Sequence, residues 1–166
     1  MGSPKPDFWA ILQTLSRHEV DFIVVGGVCA VLHGAPVSTF DIDIVHARTE
    51  NNLERLVKAL GELDASYREH PAGRIQPTKS SMSTTGHHLL VTSAGPLDLL
   101  GTVTGGRAYE DLISQTLELT LNDDLTVRIL ELPMLITLKE EMGREKDRAV
   151  LPILRRTLDE KQKGGE

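Results

Sequence analysis

A chain of 166 residues, 40% hydrophobic and 25% charged, can bury one core, and any second unit would have to be small. A formal net charge of -6, with no dense Lys/Arg run before the last few dozen residues, argues against an extended nucleic-acid substrate, which needs a basic stripe. No apolar stretch approaches a membrane span, Met1-Gly2-Ser3-Pro4-Lys5-Pro6 lacks the hydrophobic region of a secretory signal, and the single Cys29 cannot form an internal disulfide, so a cytoplasmic location is expected.

In chain order, residues 7–17 space Phe8, Ile11, Leu12 and Leu15 as on a helix, with Asp7 placed to cap it. Phe22-Ile23-Val24-Val25 is short, β-branched and bounded by Asp21 and glycine, which predicts a buried strand. Gly26-Gly27 closes that strand, and residues 28–33 predict a short helix ending at Gly34. The glycines either bring unpaired helix N–H groups close to an anion or mark a tight turn. Within this helix Cys29 reads as a packed thiol and His33 as a helix-end histidine satisfying carbonyls.

Thirteen residues separate Gly27 from the run Asp41-Ile42-Asp43-Ile44-Val45. On a strand the isoleucines would face a core while both carboxylates share the opposite face. Two like charges so close either recruit a hard cation such as Mg²⁺ or form a solvated acidic face. Residues 50–63 then place Leu53, Leu56, Val57, Leu60 and Leu63 on one helical face. The stretch 71–86 is rich in Pro, Gly, Ser and Thr and reads as a loop, either covering a ligand or making a plain surface excursion.

Residues 88–92 and 97–100 predict a hairpin across Ser93-Ala94-Gly95-Pro96, with Asp98 alone inside an apolar strand. Beside Asp41 and Asp43 it would complete a three-carboxylate site able to hold two metal ions. If instead the acidic strands are merely structural, the three carboxylates would lie more than about a dozen Å apart. A helix over 108–113 and a second hairpin, 117–121 with 125–129, follow, and helices over 132–142 and 146–158 meet at Gly143. The chain thus divides into a core over 1–130 and a C-terminal helical extension over 131–166. In that extension Lys139, Arg144, Lys146 and Asp147 form a local charged cluster that either faces a phosphate or is a solvated face. The scattered histidines show no zinc-ligand spacing, and no serine nucleophile elbow occurs.

Gly26-Gly27, Asp41-Ile42-Asp43 and Leu97-Asp98-Leu99, in that order, resemble the signature of the polymerase-beta-like nucleotidyltransferase superfamily, and most closely its small bacterial members of abortive-infection and toxin–antitoxin type. The run from Gly26 through Cys29 and His33 to Gly34, then Ser38-Thr39, is similar to their local pattern. The resemblance implies an α/β (α+β) fold, a small mixed sheet with helices packed on one side and a short C-terminal helical extension. It implies two Mg²⁺ (or Mn²⁺) ions on Asp41, Asp43 and Asp98, and transfer of a nucleotide from an NTP to a hydroxyl acceptor with release of pyrophosphate. Nucleotide contacts are expected from Gly26, Gly27, Thr39, Lys139 and Lys146. A toxin or antitoxin protein is a further expected partner, and a catalytically silent binding module is the alternative. The chain departs from the pattern where Gly27 and Val28 stand in place of a serine after the first glycine. It departs again where Val37 and Phe40 stand near the Asp pair in place of a basic residue.

Overall fold

The computed structural model describes residues 5–164, so Met1-Gly2-Ser3-Pro4 of the segment weighed as a signal, and the last two residues of the extension, lie outside the described residues. The first helical periodicity is realised as α1 (Phe8–Arg17), whose Ala10 N–H donates to the capping Asp7 carboxylate at 3.0 Å. The chain continues through β1 (Phe22–Val25), α2 (Gly26–Leu32), β2 (Ile42–His46) and α3 (Glu50–Glu62). Next come β3 (Ser66–Tyr67), α4 (Lys79–Met82), β4 (His87–Thr92) and β5 (Gly95–Leu100). It ends with α5 (Tyr109–Leu112), β6 (Thr116–Asn122), β7 (Leu125–Leu130), α6 (Leu132–Met142) and α7 (Glu145–Gly164).

The strands form one seven-stranded mixed sheet in the order β3-β4-β5-β2-β1-β7-β6. Both expected hairpins, β4–β5 and β6–β7, are antiparallel, whereas β2 runs parallel to β5 and β1 parallel to β7. At the flank, β4 alternates exposed and buried residues, so only one of its faces is covered. At the centre all of β1 is buried, which needs cover on both faces. Leu53, Leu56 and Leu60 of α3 and Leu132, Leu135 and Leu138 of α6 are buried in the same apolar cluster as β1 and β2. Each such leucine contributes about 1.5–3 kcal/mol relative to an exposed one.

Asn52, wholly buried on α3, ties three segments together: its amide donates to the carbonyls of Asp21 and Ala47 at 3.1 and 2.7 Å and accepts from the Asp21 N–H at 2.7 Å. The 71–86 segment is a surface excursion, and it carries the short helix α4. Thr78 and Ser81 form a capping box, Met82 is fully buried, and Lys79 pairs with Glu50 and Glu54 of α3. Among the described residues no helix is long and apolar enough to cross a membrane.

Candidate functional site

The parallel register of β2 and β5 sets Asp43 directly beside Asp98, with Ile42 beside Leu97 and Ile44 beside Leu99. All four apolar residues are fully buried. Alternation therefore sends the carboxylates to the other face, where Asp41, two residues before Asp43, joins them. One carboxylate oxygen from each of Asp41, Asp43 and Asp98 lies within 4.8 Å of the others. Donors that are all carboxylate oxygens suit a hard divalent cation, whose ligands lie about 2.0–2.6 Å from the ion. Burial, then a hydrogen bond to Asp98 and the charges of Asp98 and Asp41, push the Asp43 pKa well above the carboxylate range, against the pull of Lys139. Burial raises Asp98 as well, opposed by its hydrogen bond to Asp43 and by the Arg68 guanidinium.

A folded-state pKa above the unfolded value of about 4 gives stability that is present in acid and lost as pH rises through the folded value. A cation that replaces the shared proton offsets this loss. Saturating Mn²⁺, at a hundredfold excess over its dissociation constant, is expected to stabilise the protein by about 2.7 kcal/mol at about pH 8. It should stabilise less at about pH 5.5, where protons compete for the carboxylates. Thermal melts with and without Mn²⁺ check this, and an equal shift at both pH values would show that the ion binds elsewhere.

The glycine pair is explained by these neighbours. Gly26 has φ +69, and a Cβ there would lie 2.2 Å from Asp43 Oδ2; one at Gly27 would lie 2.7 Å from Thr39 Oγ1. Glycine thus lets the Asp43 carboxylate pack directly on the backbone. Thr39 in turn donates to the Asp41 carbonyl at 2.9 Å and pins the start of the acidic strand. The helix begins at Gly26 itself, two residues before the expected Val28, and no side chain caps its first N–H groups.

Facing the acids is a cationic wall from α6 and α7, joined at Gly143 with φ +62. Lys139 Nζ donates to Asp147 Oδ1 at 3.2 Å and Arg144 Nε donates to Asp147 Oδ2 at 2.6 Å. Burial alone would raise the Asp147 pKa, but the hydrogen bonds from Arg144 and Lys139 outweigh it and hold the carboxyl at about 2. A cavity of about 400 Å³ separates the two walls, with Gly26, Gly27, Thr39, Asp41 and Asp43 on its lining together with Lys139, Arg144 and Lys146. Asp98, 9% exposed, is not on that lining and reaches it through Asp43. No residue of 71–86 lines the cavity.

Arg68 went unnoticed in the sequence. Its guanidinium donates to Asp98 Oδ1, and its backbone N–H donates to the Leu89 carbonyl at 3.0 Å, where Leu89 stands opposite Asp98. A two-residue strand such as β3 leaves no periodic signal to find. His87 also lines the cavity, its Nε2 3.0 Å from the Thr102 carbonyl. By contrast, His33 serves the core: Nε2 donates to the Leu130 carbonyl at 2.7 Å and Nδ1 accepts from Lys161 at 2.6 Å. Cys29 is equally inert, its thiol pushed up to about 12 by burial.

No family model matches the chain, and no curated protein matches it by sequence. Among solved structures it is similar to a candidate nucleotidyltransferase of Thermotoga maritima, with 18% identity over 92% of this chain and 91% of that one and a TM-score of 0.54. At that identity the likeness is one of fold, and the chain shares the fold of that candidate enzyme, here a mixed α/β sheet with C-terminal helices.

Proposed function

We propose that the protein is a metal-dependent nucleotidyltransferase that moves a nucleoside monophosphate from an NTP to a hydroxyl acceptor and releases pyrophosphate. The observation that carries this reading is the opposition of Asp41 and Asp43, with Asp98 clustered behind them, to Lys139, Arg144 and Lys146 across one cavity. That arrangement complements a polyphosphate carrying cations, with negative groups for the cations and positive groups for the oxygens. The protein fold and the acidic cluster support it, as does the fold of the Thermotoga protein.

In this reading Asp41, Asp43 and Asp98 hold Mg²⁺ or Mn²⁺, and the bound ions supply charge neutralisation at phosphorus and a more acidic acceptor hydroxyl. Lys139 and Arg144, kept in place by Asp147, grip the β- and γ-phosphates and stabilise charge on the departing pyrophosphate. The backbone at Gly26 and Gly27 admits the phosphates closely. Asp98, held by Arg68 and set back behind Asp43, would complete the cation site, and the acceptor hydroxyl, made more acidic by the cation, gives its proton to solvent as the new oxygen–phosphorus bond forms and the bond to pyrophosphate breaks. Calorimetric titration with ATP and a pyrophosphate-release assay test the proposal together. Binding and release that both vanish with EDTA are expected. Metal-independent ATP binding would sink the proposal, and binding without release from any acceptor would leave a silent nucleotide-binding module.

A further inference from the structure

Phe40 is 80% exposed, the most exposed large apolar side chain among the described residues, and it lines the same cavity as the acidic and cationic walls. A ring left this bare at the mouth of a ligand-sized cavity is unusual, because burying it is worth about 1.5–3 kcal/mol. Met142, 39% exposed at the end of α6, and the half-buried Val37 are also on that lining. Phe40 is beside the acids, since it directly precedes Asp41 and consecutive Cα atoms are about 3.8 Å apart. A phosphate bridged by a cation to Asp41 and Asp43 would leave whatever is attached to it within reach of this ring.

Resting on the nucleotidyltransferase reading, we infer that Phe40, backed by Met142 and Val37, is the platform on which the nucleobase of the NTP stacks. The charged walls account for the phosphates and leave the ring without a partner. A base fits it because its flat π-face matches an aromatic ring, and stacking of this kind tolerates water around the edges.

Because Phe40 carries almost no packing, Phe40→Ala should fold as the parent does. The test compares Mn²⁺-ATP with Mn²⁺-tripolyphosphate, which has the phosphates and no base, by calorimetric titration of the full chain. Wild type is expected to bind ATP about tenfold more tightly than tripolyphosphate, a margin typical of one stacked base. Phe40→Ala should lose that margin and keep its tripolyphosphate affinity, and Phe40→Trp should restore ATP binding. An alanine variant that binds ATP as tightly as wild type overturns the platform while leaving the nucleotidyltransferase reading intact. Failure of wild type to bind either compound overturns both.

Discussion

Asp43→Asn is expected to lower Mg²⁺-dependent pyrophosphate release by about a thousandfold, equivalent to about 4 kcal/mol of lost transition-state stabilisation. Asp43 is the carboxylate at the centre of the acidic cluster: it stands beside Asp98 in the sheet register, shares a face with Asp41, packs on Gly26 and lines the cavity. The same substitution should stabilise the metal-free protein. A buried group whose pKa is raised by burial and by two like charges costs stability at neutral pH, and an amide removes that cost while keeping the shape. The expected gain is roughly 1–2 kcal/mol at about pH 8, fading toward about pH 4, where the native carboxyl is protonated anyway. Denaturant unfolding at the two pH values, paired with the release assay, measures both effects. A variant that is less stable at the higher pH, or that keeps its turnover, contradicts the site as described.

Gly26→Ala should abolish cation binding although glycine offers no ligand of its own. The added methyl would stand 2.2 Å from Asp43 Oδ2, on a backbone at φ +69 that L side chains rarely adopt. Overpacking and strain together are expected to cost about 2–5 kcal/mol, and the displaced carboxylate should weaken Mn²⁺ binding by more than about a hundredfold. Gly34→Ala separates the two causes. Gly34 has φ +94, and an added methyl there would meet nothing within 4 Å, so that variant should be strained yet bind Mn²⁺ normally. Gly27→Ala has no positive φ to strain it but would meet Thr39 Oγ1 at 2.7 Å and Thr39 Cβ at 2.9 Å, away from the carboxylates, and should fall between them. Electron paramagnetic resonance of free Mn²⁺ gives the affinities directly. Equal affinities for the Gly26 and Gly34 variants would show that contact with Asp43 is not what the glycine protects.

Local pattern alone carried much of this site. Period-two alternation placed Ile42 and Ile44 inward and both Asp41 and Asp43 outward, and helical spacing located α1, α3 and α6. Turn chemistry over Ser93-Ala94-Gly95-Pro96 and at Asn122-Asp123-Asp124 marked both hairpins, although Gly95 and Pro96 pair with Thr92 and Val91 as the start of β5. The loop over 71–86 was harder, because four helical residues around one buried methionine are too few to show a period, and its docking onto α3 depends on the distant Glu50 and Glu54.

What the amino-acid sequence determines by itself is therefore the inventory: which residues bear charge, which faces are apolar, and the order of strands and helices. These follow from short-range sterics and periodicity. Only the tertiary structure decided the parallel register that puts Asp98 beside Asp43, the ion pair from Arg68, the Asp147 anchor beneath Lys139 and Arg144, and the reason for two glycines. Each of those depends on a distance between residues remote in the chain or on strand register. A shift of one residue in that register would turn Asp98 into the core; alternation disfavours the slip but does not say that β5 is the strand beside β2.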